Sequence, residues 1–160
     1  EAPLDPARAP DVGGPALHPT AGAIAVGARK FLIAYNINLD TPDAGIAAEI
    51  ARAIRSSSGG LPALKALGIA LPSRGISQVS MNLTDFEQTS LQQAYEAVRS
   101  QAQRRACAIA GSEIVGLVPR KALDTTAEYF RSLGNFSPDQ ILESRLAAAM
   151  GQGEAARVSA

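Results

Sequence analysis

The sequence has little of the chemistry that metal centres and nucleophilic catalysis require. Its 160 residues contain one cysteine, Cys107, one histidine, His18, and no tryptophan. A single cysteine cannot form an internal disulfide, and one histidine without a second cysteine supports neither a zinc site nor a Ser-His or Cys-His pair of ordinary spacing. Cys107 follows the end of a predicted helix, so we expect a buried structural thiol rather than a nucleophile. The sequence therefore predicts no metal and fits a reducing compartment or indifference to redox state.

An excess of one charge and long hydrophobic runs are also missing. The 15 Lys and Arg residues balance the 15 Asp and Glu residues, which leaves no uncompensated basic face for nucleic acid. The longest apolar run, residues 31–35, ends at Asn36, well short of the roughly 20 residues of a membrane span. We expect no nucleic-acid or membrane partner. A chain of this length buries roughly 70% of its unfolded surface, so we predict one soluble domain. With Glu1 first and no signal segment, it looks like a processed chain or an excised piece.

Both ends of the chain differ in composition from its middle. Five of the ten prolines fall at positions 3, 6, 10, 15 and 19, which predicts an extended arm because each proline restricts its own φ and its predecessor. Residues 151–160 contain two glycines, no aromatic residue and one valine, so we predict a disordered tail.

The middle of the chain begins with three elements. Residues 31–39 alternate apolar and polar side chains, the pattern of a half-buried strand. Asp40 or Thr41 is expected to cap a helix with Pro42 in its first turn, and Ile46, Ile50, Ala53 and Ile54 form its apolar stripe. Strands 63–71 and 76–83 follow, and residues 72–75 between them predict a hairpin.

The second part of the chain starts with another helix. Thr89 or Ser90 opens it, and Ser90 with Gln93 forms a candidate capping box. A strand is predicted at 113–118 and a helical stretch from 119 to about 133. A closing helix is capped by Ser137, with Pro138 at its first position, Gln140 completing a capping box, and Ile141, Leu142 and Leu146 forming its contact face.

The order of elements from 31 to 118 predicts an α+β fold. It is β-α-β-β-α-β, the ferredoxin-like sandwich of a four-stranded antiparallel sheet with both helices on one face, here with extra C-terminal helices. The first and third strands are central in this topology. Their polar rows should therefore meet on the open face, where they form either a ligand-facing surface or a solvated one: Asn36, Asn38, Gln78, Ser80 and Asn82.

Three long motifs then carry a resemblance. Residues 27–39 (GARKFLIAYNINL) are similar to the segment G-A-R-K-F-L-I-A-[FY]-N-[IV]-N-L of the glutamate formiminotransferases. The similarity continues through 78–83 (QVSMNL) with 85–87 (DFE), and through 111–119 (GSEIVGLVP) with 121–123 (KAL). The three motifs occur in the same order over about 120 residues.

The resemblance implies an enzyme that transfers a formimino group between 5-formimidoyltetrahydrofolate and L-glutamate in histidine breakdown. Such enzymes resemble two ferredoxin-like subdomains facing each other across a folate tunnel. This chain is similar to the C-terminal subdomain, at 27–150, with a connector at 1–26. The family's catalytic histidine lies in a G-E-H-P-R-M-G motif of the N-terminal subdomain. His18 has different flanks, so no catalytic residue is assigned and the chain alone is expected to be inactive.

The connector carries a fourth, looser similarity. Residues 13–22 resemble the segment that wraps the folate in this family, although Gly14 stands where a proline is usual; a merely flexible linker is the alternative. The resemblance marks these residues as candidate folate contacts: Gly13, Gly14, Pro15, Ala16, Leu17, His18, Pro19, Thr20, Ala21 and Gly22.

The charged residues near the predicted sheet leave alternatives open. Arg29, just before a central strand, could clamp a carboxylate of folate or glutamate or could pair with Asp85 or Glu87. Lys30 is interpreted as an edge charge. Spacing gives no reason to place Asp85 beside Glu113 as an acid and base.

Two hypotheses follow for the whole chain. In the first it is the folate-binding half of a formiminotransferase, with tetrahydrofolate as cofactor-like substrate, no metal, and Arg29, Asn36, Asn38, Ser80 and Asn82 facing substrate or tunnel. Its expected partners are folate, L-glutamate, an N-terminal subdomain and a second copy in a homodimer, in the cytoplasm. In the second it is a non-catalytic folate-binding or assembly module that acts with a separate subunit.

Overall fold

The computed structural model describes residues 9–14, 16–124, 127–134 and 136–158, and the side chains of Glu128 and of 152–158 are left aside. Within these residues four strands and four α-helices follow one another in the order β1-α1-β2-β3-α2-β4-α3-α4. Their bounds are β1 (Ile33–Leu39), α1 (Ala44–Ile54), β2 (Leu64–Leu71), β3 (Ile76–Leu83), α2 (Leu91–Gln103), β4 (Ile109–Val115), α3 (Glu128–Arg131) and α4 (Leu142–Val158).

The strands form one antiparallel sheet in the order β2-β3-β1-β4. This confirms the predicted α+β ferredoxin-like fold with β1 and β3 at its centre. The alternation in β1 explains the arrangement, because Ile33, Tyr35 and Ile37 are fully buried in the core under the helices. Phe31, predicted to continue this row, precedes the strand and is 40% exposed.

Helix capping was predicted correctly for α2 and wrongly for α1. Ser90 accepts from the backbone N–H of Gln93, whose side chain accepts from the N–H of Ser90, as predicted. In α1 the cap is Asp43, whose Oδ1 accepts from Gly45 N at 2.7 Å. Asp40 and Thr41 come too early to cap, because Pro42 still precedes the first helical turn.

A close approach between α1 and β2 depends on Gly68. A Cβ at this position would lie 2.1 Å from the backbone N of Ala48 and 2.4 Å from the carbonyl carbon of Ala47. The helix therefore rests directly on the strand, and any side chain there would push the two elements apart.

The region after α2 differs from the sequence-based prediction. Strand β4 starts at Ile109, four residues before the predicted 113, and ends at Val115, where Gly116 takes a φ of 77°. The predicted helix at 119–133 is a single 3₁₀ turn, Arg120–Ala122, followed by the short α3. Val118 is buried and bridges to Ile141 instead of ending a strand.

The closing helix also starts later than predicted. Ser137 and Gln140 form the expected capping box, but it caps one 3₁₀ turn, Pro138–Gln140, and α4 follows. Leu146 is 53% exposed, so it does not form the predicted contact face. Helix α4 is assigned up to Val158. The disordered tail expected at 151–160 stays a prediction. Among the described residues no helix is long and apolar enough to cross a membrane.

Candidate functional site

The polar rows of the central strands meet on the face of the sheet that the helices leave open. Asn36 of β1 pairs in register with Ser80 of β3, and Asn38 pairs with Gln78. Both strands are hydrogen-bonded on each side, so the backbone fixes these side chains side by side. Asn38 and Gln78 are each only 6% exposed, whereas Asn36 and Ser80 are half-buried.

A hydrogen-bond network joins these side chains to a carboxylate. Gln78 Nε2 donates to Asn38 Oδ1 at 2.8 Å and to Glu113 Oε1 at 3.0 Å. Asn36 Nδ2 donates to the same Glu113 oxygen at 3.2 Å. Amide donors on two neighbouring strands contact one Glu113 oxygen, so the network holds this side chain in one place. We call these four residues, Asn36, Asn38, Gln78 and Glu113, the polar cluster.

Glu113 is the member of the polar cluster that sequence reasoning did not select. It was interpreted as the first residue of a strand and therefore placed at the sheet edge. The strand in fact begins at Ile109, and Glu113 is paired with Asn36 near its middle. The signal was present in the third motif (GSEIVGLVP), where Glu113 is the only charged residue.

The remaining two candidates lie on β3 toward the other edge of the same face. Ser80 is opposite Leu67 of β2, and Asn82 is opposite Lys65. Both line a hollow of about 380 Å³ that also includes Arg55 and two serines of the turn after α1. Asn36, Asn38, Ser80 and Asn82 are therefore brought together on one face.

The connector forms a turn around His18. Backbone hydrogen bonds join His18 and Gly22 in both directions, at 3.2 and 2.9 Å. The ring Nδ1 accepts from the N–H groups of Thr20 and Ala21 at 3.3 and 3.1 Å. His18 thus closes the turn through one ring nitrogen, which gives the sole histidine a structural role in the segment.

Glycines make the backbone of this segment possible. Gly13, Gly14 and Gly22 have φ values of 94°, 90° and 68°, a region that side chains disfavour and that proline cannot reach. Gly14 therefore adopts a conformation that the usual proline of the family would exclude. The described residues of 11–30 are all exposed, so they are not packed against the polar cluster; Pro15 lies outside the described residues.

Lys30, just before β1, belongs to a cluster of ion pairs. Lys30 Nζ lies 2.8 Å from Asp85 Oδ2 and 3.2 Å from Glu87 Oε2, and Lys121 also pairs with Glu87. The lysine lowers the pKa of the Asp85 carboxyl, and Lys121 and Lys30 lower that of Glu87. Lys30 is therefore an ion-pair residue rather than an isolated edge charge.

Arg29 does not make the ion pair that one of its two interpretations requires. Its guanidinium donates to the carbonyl of Lys30 at 3.2 Å, and no described carboxylate lies within ion-pair distance of it. It is exposed and outside the polar cluster. The structure thus separates Arg29 from the other four candidates.

Two potentially reactive groups lie away from the open face. Cys107 is half-buried rather than buried, because it sits in the exposed connection between α2 and β4. Burial raises the pKa of its thiol, which opposes nucleophile formation. Tyr35 lies on the helix side, fully buried, with its ring 6.2 Å from that of Tyr129, and burial raises the pKa of its phenol.

The residues on the open face are suited to binding a ligand through hydrogen bonds. The polar cluster presents amide donors, amide acceptors and one carboxylate, and no group of three or more metal-ligating side chains occurs among the described residues. Such a face can hydrogen-bond a flat, polar heterocycle or an amino acid. It contains no paired base and nucleophile.

Comparison with known proteins places the chain in a family. Residues 34–145 match the formiminotransferase domain family. The glutamate formimidoyltransferase of Streptococcus pyogenes serotype M1 is 48% identical over 139 residues, which cover 86% of this chain and 46% of that protein. The enzyme of the same name from Thermoplasma acidophilum is 45% identical over 133 residues, 83% of this chain and 44% of that protein.

A longer relative shows the same similarity. The formimidoyltransferase-cyclodeaminase of Gallus gallus is 43% identical over 131 residues, 78% of this chain and 24% of that protein. The chain thus spans slightly less than half the length of the first two relatives. Because the family match includes β1 to β4 and the whole polar cluster, the chain belongs to the formiminotransferase domain family.

Proposed function

We propose that the chain is the C-terminal, folate-binding half of a glutamate formiminotransferase that moves a formimino group between 5-formimidoyltetrahydrofolate and L-glutamate in histidine degradation. The observation that carries the proposal is the polar cluster on β1, β3 and β4 of a member of this family. Asn38 and Gln78 are nearly buried and hydrogen-bonded to each other, whereas a face that is merely solvated would leave such amides exposed to water.

The role of this half is to bind and orient. The polar cluster, with Ser80 and Asn82, offers hydrogen bonds to a pterin or an amino acid laid on the sheet. In the direction that forms formiminoglutamate, the glutamate amine attacks the formimino carbon, the folate nitrogen leaves, and a histidine of the N-terminal half moves the proton. In the direction of histidine degradation the same step runs in reverse: the folate nitrogen attacks and the glutamate amine leaves with the proton. Holding the two reactants in line can lower the barrier by several kcal/mol, about 7 in favourable cases.

The connector supplies a second wall in this proposal. Its positive-φ glycines expose backbone without side chains, which allows close approach to a flat ring. His18 keeps the turn closed through Nδ1 and contributes no proton transfer. We place this reaction in the cytoplasm, with a second copy of the chain completing a homodimer.

A binding titration and an activity assay test the proposal together. The chain is titrated with 5-formyltetrahydrofolate, a stable analogue, while backbone amide signals are followed by NMR. We expect shifts at 36–38, 78–82 and 13–22. In a separate assay with formiminoglutamate as donor and tetrahydrofolate as acceptor, we expect no consumption of formiminoglutamate by the chain alone. Addition of an N-terminal half carrying the histidine motif should restore transfer. Turnover by the chain alone, or no shift in any of these segments, would contradict the proposal.

An assembly module remains the second candidate because apolar side chains flank the polar cluster. Leu67 is 64% exposed on β2 and Val115 is 53% exposed on β4, both on the open face. Exposed apolar groups on the two edge strands are typical of a surface that meets a partner. If sedimentation shows a dimer while the folate titration shows no binding, the assembly function stands and the folate function does not.

A further inference from the structure

Two unpaired cations lie in the hollow at the β2 edge of the open face, away from the polar cluster. Arg55 and Lys65 line it together with Ser56, Ser57, Ser80 and Asn82, and no acidic residue lines it. Within the described part of the chain, neither cation lies within ion-pair distance of a carboxylate, whereas Lys30, Lys121, Arg99 and Arg105 all do.

The guanidinium of Arg55 is oriented by one hydrogen bond, and its two Nη groups remain available to a ligand. Its Nε donates to Ser58 Oγ at 2.9 Å, which orients the group, and its two Nη nitrogens have no partner among the described residues. A guanidinium in this state can contact a carboxylate end-on through both Nη groups. Lys65 adds a second positive charge on the other side of the hollow, and neighbouring cations in a concave site concentrate the potential there.

The strand order places the negative charge and the positive charge of the open face at opposite edges of the sheet. Glu113 lies on β4 at one edge, and Lys65 lies on β2 at the other, with β1 and β3 between them. Three strand spacings separate the two edges, about 14 Å. An elongated ligand that carries a polar ring at one end and carboxylates at the other therefore has one matching orientation on this face.

We propose that the hollow lined by Arg55 and Lys65 binds the carboxylates of a glutamyl group. This inference rests on the proposed function for its ligand, and it assigns the β2 edge to the glutamyl end and leaves the polar cluster to the ring. The glutamyl group has two sources with the same chemistry, the tail of the folate and free L-glutamate. The two serines and Asn82 supply hydrogen-bond donors to carboxylate oxygens that the cations do not reach.

The test compares three variants that each remove one positive charge. Arg55→Gln and Lys65→Gln change the hollow, and Arg52→Gln, at an exposed arginine in the last turn of α1, is the matched control. Lys65 makes no described side-chain bond, so its variant keeps the fold even if Arg55→Gln does not; circular dichroism checks both. Each protein is titrated with folic acid, with pteroic acid, which lacks the glutamyl group, and with L-glutamate.

We expect Arg55→Gln and Lys65→Gln each to weaken the binding of a glutamyl-bearing probe about tenfold relative to Arg52→Gln, the loss of one charge-assisted contact. Pteroic acid binding should be unchanged. A loss with folic acid alone assigns the hollow to the tail, and a loss with L-glutamate alone assigns it to the free amino acid. Both support the inference.

Three further outcomes separate the inference from the proposed function. If folic acid binds, and the wild-type chain and both hollow variants bind folic acid and L-glutamate equally well, the glutamyl site is wrong while the folate function stands. If L-glutamate binding is weakened but no pterin binds, the hollow is a glutamyl site and the folate function fails. If neither folic acid nor L-glutamate shifts the amides of 55–57 and 65–67, the hollow is not a glutamyl site.

Discussion

Replacing Gln78 by Glu tests the polar cluster through its effect on stability. The substitution keeps the size of the side chain but removes its N–H donors and places a second carboxyl about 3 Å from Glu113 Oε1, where Gln78 Nε2 now lies at 3.0 Å. Two carboxylates at this distance repel by about 5–6 kcal/mol at an effective dielectric constant of 20. The wild-type chain has an attractive contact at the same place.

The folded variant can avoid the repulsion by keeping one proton on the pair of carboxyls. The cost of holding this proton makes the stability of the variant depend on pH. Holding a proton on a carboxyl of ordinary pKa, about 4.3, costs about 1.4 kcal/mol per pH unit above that value, or about 5 kcal/mol at about pH 8 and 1 at about pH 5. Since Glu113 is half-buried, water screens part of this cost. We therefore expect the substitution to lower the free energy of unfolding by about 2–5 kcal/mol at the higher pH and by about 1 kcal/mol at the lower pH.

The direction of the pH dependence follows from the number of protons that the folded and unfolded states bind. The native variant binds more protons than its unfolded state above the ordinary carboxyl pKa, so its free energy of unfolding falls as the pH rises. Urea denaturation at the two pH values measures the difference. At the higher pH the loss approaches the whole stability of a small domain, about 5 kcal/mol at the lower end, so the native fraction must also be checked.

Gln88→Glu is the matched control for this substitution. Gln88 Nε2 also donates to a carboxylate, Asp85 Oδ2 at 2.9 Å, but Lys30 contacts the same oxygen. The lysine neutralises much of the added charge and Gln88 is exposed, so we expect a change of less than about 1 kcal/mol at either pH. If the two variants show the same pH dependence, the polar cluster does not hold Gln78 and Glu113 together in solution.

Three further substitutions test the fold and its charges. Gly68→Ala should lower the free energy of unfolding by about 2–3 kcal/mol in urea, because its Cβ would meet the backbone of α1 at 2.1 Å. Ser90→Ala should cost about 1 kcal/mol in thermal unfolding through loss of the α2 capping box. Lys30→Gln should raise the pKa of Asp85, followed by NMR. Since a lowered pKa stabilises the fold above the unfolded value and this is lost as the pH falls through the folded one, the variant should lose less stability on acidification.

Each of these substitutions has its own control. Gly27→Ala places a Cβ in open space, so the unfolding free energy should stay within about 0.5 kcal/mol of wild type. Ser100→Ala lies on the exposed side of α2 away from its cap and should not destabilise it. Lys30→Arg keeps the charge and should leave the Asp85 pKa low. An equal loss of stability in Gly27→Ala and Gly68→Ala would refute the close approach of α1 to β2.

Local patterns in the sequence were sufficient for the elements that are stabilised locally. The alternation of β1, the 72–75 turn and the Ser90 capping box each depend on residues close in the chain. The turn and the capping box occur as predicted, and the alternation holds from Ile33 onward. The order of these elements was enough to predict the ferredoxin-like sheet, and the three motifs were enough to predict the family.

Elements with weak local signals were placed wrongly. Strand β4 contains Gly111, Ser112 and Glu113 in its middle, so no apolar alternation is apparent there, and its position is decided by pairing with β1. The helix predicted at 119–133 has helical spacing, yet burial of Tyr129 against Tyr35 breaks it into a 3₁₀ turn and α3.

The sequence by itself determined which residues could form a polar row on each central strand, because side chains alternate across a strand with a fixed period of two. Only the tertiary structure decided which of them share a hydrogen bond. Register places Gln78 beside Asn38, and the pairing of β4 with β1 brings Glu113 to both amides. The cations at the β2 edge became neighbours of this face for the same reason: long-range pairing and the turn after α1, rather than any local pattern, set their positions.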